Sequence, residues 1–223
     1  MAVSAAALVV GVAVIGWTQW QAFEEANVAT VGSRPAVSAS ASVASPSASS
    51  PEPSPSVTRP APTPSATPTP MVTVYSVPRR VRIPAIDVAT RVVPVGIDEN
   101  EALEVPEDVR LVGWYDLGVP PGADRGSAVL VAHRDSRTQG NGVFYDLGRL
   151  DVGDSVTVRN DAGEDLRYSV VSRESIRKKR LPYEELFAID GPPRLTLISC
   201  GGYYDPNNGG YQDNVVVTAV PQA

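Results

Sequence analysis

The sequence predicts a mainly β domain, a closed barrel or a sandwich, carried behind an unfolded N-terminal appendage. Three observations predict it. From Val72 onward, short β-branched runs alternate with clusters of Gly, Asp, Asn and Pro; helical patterning is confined to one short stretch; and no segment repeats. Many short strands with few helices bury their apolar faces by closing a sheet on itself or packing two sheets together.

In chain order the candidate strands are Val81–Ile83, Arg91–Val95, Ser127–Ala132, Ser155–Arg159, Leu166–Arg173, Leu195–Ser199 and Asn214–Val220. Turn clusters such as Asp151–Asp154 (DVGD) and Asn160–Gly163 (NDAG) bound them. Pro182–Ala188 (PYEELFA) is the helical stretch, with Pro182 at a first-turn position where its missing N–H costs nothing. These elements place the folded domain at residues 74–221.

The segments before it have other textures. Ala2 to Trp20 contains no charged residue, and its apolar run approaches the ~17–25 residues with which a helix crosses a bilayer. Residues 1–22 are therefore read as a membrane anchor, with a cleaved signal peptide as the rival reading. Ser33 to Pro70 is dominated by Pro, Ser, Ala and Thr. Small polar residues offer nothing to bury and repeated proline favours extended polyproline II, so residues 33–70 read as a disordered, semi-rigid linker. An apolar start followed by such a stalk implies a single-pass protein of the cell membrane with its folded domain outside the cytoplasm.

Composition narrows the chemistry. A formal net charge of −6 and the absence of a basic stripe along the sequence argue against a nucleic-acid partner. The cluster Arg177–Arg180 (RKKR) is expected to be a solvated turn. With 1 Cys and 1 His the chain forms no internal disulfide and no closed zinc site without carboxylates, so no metal and no cofactor is expected. Trp114, Tyr115, Phe144 and Tyr145 are expected in the core rather than along a groove.

Those two single residues carry the functional reading. In GSAVLVAHRDS (Gly126–Ser136) an apolar strand runs out at His133, and in RLTLISCGG (Arg194–Gly202) another runs out at Cys200. Strand ends are where a rigid scaffold presents side chains to substrate. A thiol becomes a useful nucleophile beside a base, usually an imidazole. The glycines after Cys200 let the backbone turn and a substrate approach.

The order of these segments resembles the sortases, and among them the actinobacterial class E/F-like group. The stretches that carry the resemblance are IPAIDVATRVVPVGID (Ile83–Asp98), VGWYDLGVPPGADRGSAVLVAHRDS (Val112–Ser136), GVFYDLGRLDVGDSVTV (Gly142–Val158) and TLISCGGYYDP (Thr196–Pro206). The resemblance implies an eight-stranded β-barrel with short helices and a cysteine transpeptidase. It would cut LPxTG-like sorting-signal peptides of secreted proteins through a thioester on Cys200 and pass the acyl group to an amine of a cell-wall precursor, or to water. His133 would protonate the leaving amine and deprotonate the incoming one. Family members also use an arginine early in the last strand. Here that position falls on Gln212, which can donate a hydrogen bond but brings no guanidinium fork. Reduced efficiency follows, unless Arg134 compensates. The competing reading is a degenerate module that binds sorting signals or wall polymer without turnover. An L,D-transpeptidase, with His and Cys close together in one motif, does not fit.

Overall fold

The β-branched runs become strands because every second residue has an interior to enter. In a strand successive side chains point to opposite faces, and here Val81 and Ile83 are buried while Arg80 and Arg82 are exposed. Val156 and Val158 alternate in the same way with Ser155, Thr157 and Arg159.

A computed structural model describes residues 29–35 and 77–222. The strands are β1 (Val31–Gly32), β2 (Pro78–Ile83), β3 (Val88–Val95), β4 (Val112–Tyr115), β5 (Ser127–Val131), β6 (Asp135–Ser136), β7 (Gly140–Asn141), β8 (Ser155–Asn160), β9 (Asp165–Arg177), β10 (Arg194–Asp205) and β11 (Gly210–Pro221). The one α-helix among the described residues is α1 (Tyr183–Leu186), shorter than the helical stretch expected from the sequence. The main sheet runs β1-β9-β11-β10-β5-β4-β3-β2-β8, and β8 pairs again with β9. Eight strands therefore close into a barrel, which resolves the choice between barrel and sandwich. β1 is added outside the ring.

The barrel is filled by Ile83, Val112, Leu130, Phe144, Leu147, Leu195, Leu197, Val217 and their neighbours. A second, smaller apolar cluster lies on the outer face of β5, β10 and β11, where Val129, Ile198 and Val216 meet Leu181 and Leu186. Trp114 and Phe144 are core residues as expected. Tyr115 packs edge-on against Phe187 beside the second cluster, and Tyr145 is exposed.

Several boundaries differ from the sequence reading, each for a physical reason. β4 (VGWY) has a glycine in a short run and carries no alternation. Gly113 is required there, since a Cβ would stand 2.8 Å from Val95. β9 continues past Arg173 to Arg177 because β11 pairs with it to Asp213. The candidate strands end at Ser199 and resume at Asn214, but the stretch between them is part of a long hairpin of β10 and β11.

The segment around β1 docks on β9, with Val31 opposite Arg173 and Gly32 opposite Ser172. Gly32 takes φ +75° and passes so close to the carbonyl oxygen of Val171 that no side chain fits. The buried Arg173 donates to the carbonyl of Ala29 at 3.1 Å, and Arg34 pairs with Glu174 at 2.7 Å and Glu185 at 3.2 Å. The apolar segment 1–22 and most of the proline-rich stretch lie outside the described residues. No helix among the described residues is long and apolar enough to cross a membrane.

Candidate active site

Between His133 and Cys200 lie 66 residues of chain, and a strand register brings the two together. β5 and β10 are parallel, with Leu130 opposite Leu197 and Val131 opposite Ile198. The pairing continues past the end of β5: the N–H of Ala132 donates to the carbonyl of Ile198 at 3.2 Å, and Ser199 Oγ donates to the carbonyl of Ala132 at 3.0 Å. The same 67-residue offset relates His133 to Cys200. Neighbouring strands stand about 4.8 Å apart, so this register places the two residues side by side.

Alternation also settles the face. Leu130 and Leu197 point into the barrel, whereas Val129 and Ile198 belong to the outer cluster. His133 and Cys200 are in phase with the latter pair. Both are partly buried, and both line one groove of about 410 Å³. Cys200 is a free thiol.

Backbone packing fixes the imidazole-bearing segment from behind. The N–H of Gly142 donates to the carbonyl of Arg134 at 2.7 Å, and that of Phe144 to the carbonyl of His133 at 3.2 Å. A Cβ on Gly142 would stand 2.2 Å from the carbonyl oxygen of His133, so only glycine allows this approach.

On its other side Cys200 is paired with Asn214 of β11. Directly opposed residues of an antiparallel pair share a face, so Asn214 stands on the thiol's face, next to the groove rather than among the residues that line it. The sequence reading did not single out Asn214. The signal was the pairing of two strands, which spacing alone does not reveal.

Gln212 sits elsewhere. Gly201 pairs with Asp213 and Tyr204 with Tyr211, so Gly202 and Tyr203 both oppose Gln212 in a β-bulge. Gly202 takes φ +70° at this point, and a Cβ there would stand 2.5 Å from Asp213 Oδ2. The Gln212 amide is folded into the hairpin tip: Nε2 donates to the carbonyls of Asn208 at 2.8 Å and Gly210 at 2.6 Å, and Oε1 accepts from Asn208 Nδ2 at 2.9 Å. It is not among the residues that line the groove.

Arg134 does line it. The bonds that continue the pairing of β5 with β10 end at Ala132, so alternation carried to His133 is not imposed on Arg134. The guanidinium lies over two rings, 5.3 Å from the centroid of Tyr145 and 5.2 Å from that of Tyr211, with Asp135 Oδ2 3.8 Å from Nε. The Tyr211 hydroxyl donates to the same carboxylate oxygen at 2.5 Å. Burial, followed by this bond to Asp135, pushes the Tyr211 hydroxyl up to about 12, so it remains a donor at any physiological pH. Arg137 and Lys178 also line the groove against the single carboxylate of Asp135. That balance of charge is positive. Lys178 belongs to a 3₁₀ turn, Lys178–Arg180. The basic cluster is therefore a turn, as expected, with one member facing the groove. No group of three potential metal ligands lies together among the described residues.

With this geometry in view, the family model described as the sortase domain matches residues 81–222, more than half of the chain. Among solved structures, the chain is similar to sortase C1 from Streptococcus suis, at 23% identity and TM-score 0.51, over 66% of this chain and 74% of that one. It is also similar to sortase C-1 from Actinomyces oris, at 24% identity and TM-score 0.49, over 65% and 73%. Sortase A from Corynebacterium diphtheriae is similar at 20% identity and TM-score 0.49, over 66% and 61%. Curated proteins give no match.

Proposed function

The chain belongs to the sortase family, a family of cysteine transpeptidases, and from that premise we propose that it cleaves LPxTG-like sorting signals through a thioester on Cys200. The observation that carries the proposal is the parallel register of β5 and β10, whose offset brings His133 beside Cys200 on the face lining the groove.

The thiolate sulfur attacks the scissile carbonyl, forming a C–S bond and a tetrahedral oxyanion. Collapse breaks the C–N bond, and the imidazolium of His133 gives its proton to the departing amine. An incoming amine of a wall precursor, or water, then loses a proton to His133 as it attacks the thioester, and the sulfur leaves as thiolate. Arg134 supplies the nearby positive charge that Gln212 lacks. Removal of one oxyanion-stabilising donor typically costs about 10²–10³ in turnover, so without the Arg134 charge the enzyme is expected to be slow. Residues 1–22 would hold it in the membrane as a single-pass protein with the barrel outside the cytoplasm.

Turnover of a fluorogenic LPxTG peptide tests the assignment of the cation. Arg134→Gln is expected to lower kcat/KM by about 10-fold or more, whereas Gln212→Arg, at a position folded into the hairpin tip, is expected to change it little. An unaltered rate on Arg134→Gln, or a large rise on Gln212→Arg, contradicts it. Intact peptide binding without turnover in any variant would indicate a degenerate binding module.

A further inference from the structure

Half-way round the barrel from the groove, β2, β3, β8 and β9 carry arginines on their outward face. Pairing arranges them in two rows. In one, Arg91 lies opposite Arg80, Arg80 opposite Arg159, and Arg159 opposite Asp165. In the other, Ala89 lies opposite Arg82, Arg82 opposite Thr157, and Thr157 opposite Arg167. Alternation confirms the face, since Val81 and Val158, between the rows, enter the core. All five arginines are exposed.

The sequence hides this cluster because it comes from four strands at every second position. It is an unfavourable way to build a sheet: directly opposed like charges cost stability, and Arg80 has an arginine on each side. The one carboxylate in the rows, Asp165, is held by Arg159 through two bonds of 2.7 and 2.9 Å. Arg80, Arg82 and Arg91 form no salt bridge among the described residues. This concentration sits on a chain of net charge −6, so it is not general basicity. The face is also concave, a groove of about 420 Å³ lined by Arg80, Arg82, Arg159, Arg167 and two threonines, Thr90 and Thr157.

We propose that this face binds a soluble linear polyanion whose charges lie on phosphate groups. Every cation in the rows is arginine, whose planar fork takes two oxygens of one phosphate at once. The Thr157 hydroxyl provides a further donor between them, while that of Thr90 is given to the carbonyl of Arg110. Rows of guanidinium groups across four strands suit successive charges of a linear chain. The rows carry no large exposed apolar side chain of the kind with which a surface helix or loop enters a bilayer, which favours a polymer over a lipid surface.

The full chain in detergent, titrated into fluorescent inorganic polyphosphate, tests this. Wild type is expected to bind with an affinity that falls steeply as salt rises. The triple variant Arg80→Gln, Arg82→Gln, Arg167→Gln should bind at least 10-fold more weakly with a shallower salt dependence, and the corresponding triple Lys variant should lie between. The Gln variant should melt no lower than wild type, because like charges are being removed, and its peptide turnover should be unchanged, since none of these residues lines the Cys200 groove. No binding at low salt, equal binding by the Gln variant, or a sharp fall in its Tm would overturn the proposal. Arginine-dependent retention on phosphatidylglycerol vesicles without polyphosphate binding would assign the face to a lipid surface and overturn it as well.

Discussion

Ser199 is the residue on which the site's geometry depends most. The regular ladder between β5 and β10 stops at Val131, and the bond from Ser199 Oγ to the carbonyl of Ala132 carries the pairing on to His133 and Cys200. Both groups are buried, so Ser199→Ala leaves a buried carbonyl with one partner fewer, at a cost of about 1 kcal/mol. Turnover of the peptide should fall several-fold in kcat with little change in KM; a change confined to KM would show that Ser199 does not position the pair. Tyr211 makes a second residue-level prediction. Its folded-state value lies near 12, above the ordinary value of 10, so the neutral hydroxyl is favoured by folding. The stabilisation is complete below pH 10 and is lost as pH rises towards 12. Melting curves between pH 9 and 12 should show the fall in Tm becoming shallower in Tyr211→Phe, and superimposable slopes would contradict this. At this scale the sequence was informative about His133 and Cys200, because each ends an apolar run and each is the sole member of its type. It was silent on Asn214, whose position follows from pairing across a hairpin. Gln212 was expected at the family's arginine position, but its bonds to Asn208 and Gly210 belong to a turn that no local pattern specifies.

Among the elements, β1 changes the picture of the N-terminal appendage. It covers an edge of β9 that would otherwise present unpaired N–H and C=O groups to solvent, and it is held by Arg173, Arg34 and a glycine that no other residue can replace. The described chain on both sides of residues 36–76 therefore meets the barrel: the segment around β1 docks on β9, and the chain enters β2 at Pro78. Cutting the full chain at a protease site introduced near Ser54 should leave the two fragments associated on size-exclusion chromatography, and Arg34→Glu together with Gly32→Val should release them. Separation of the wild-type fragments after the cut would show that β1 does not hold. The two-residue strand was invisible in the sequence, since a Val-Gly pair beside a Pro/Ser-rich run has neither length nor alternation. β4 escaped for the same reason, whereas β5, β8, β10 and β11 were evident from their β-branched runs.

For the whole molecule, the sequence carried the class of the fold and the structure supplied its closure. Alternation and turn spacing specify many short strands, but whether they form a barrel depends on β8 pairing with both β2 and β9, a relation between segments. The closed ring gives the molecule two unlike sides: one with the His133–Cys200 register over the outer apolar cluster, the other with rows of arginine across β2, β3, β8 and β9. The central claim concerns the first side, that Cys200 forms a covalent acyl intermediate with a sorting signal. Its most direct test is the intact mass of the protein, quenched in acid shortly after mixing with an LPxTG peptide. The expected result is a mass increase equal to the peptide's acyl portion, located on Cys200, absent in Cys200→Ala and strongly reduced in His133→Ala. Peptide cleavage without any adduct, or an adduct that survives in Cys200→Ala, would contradict the account.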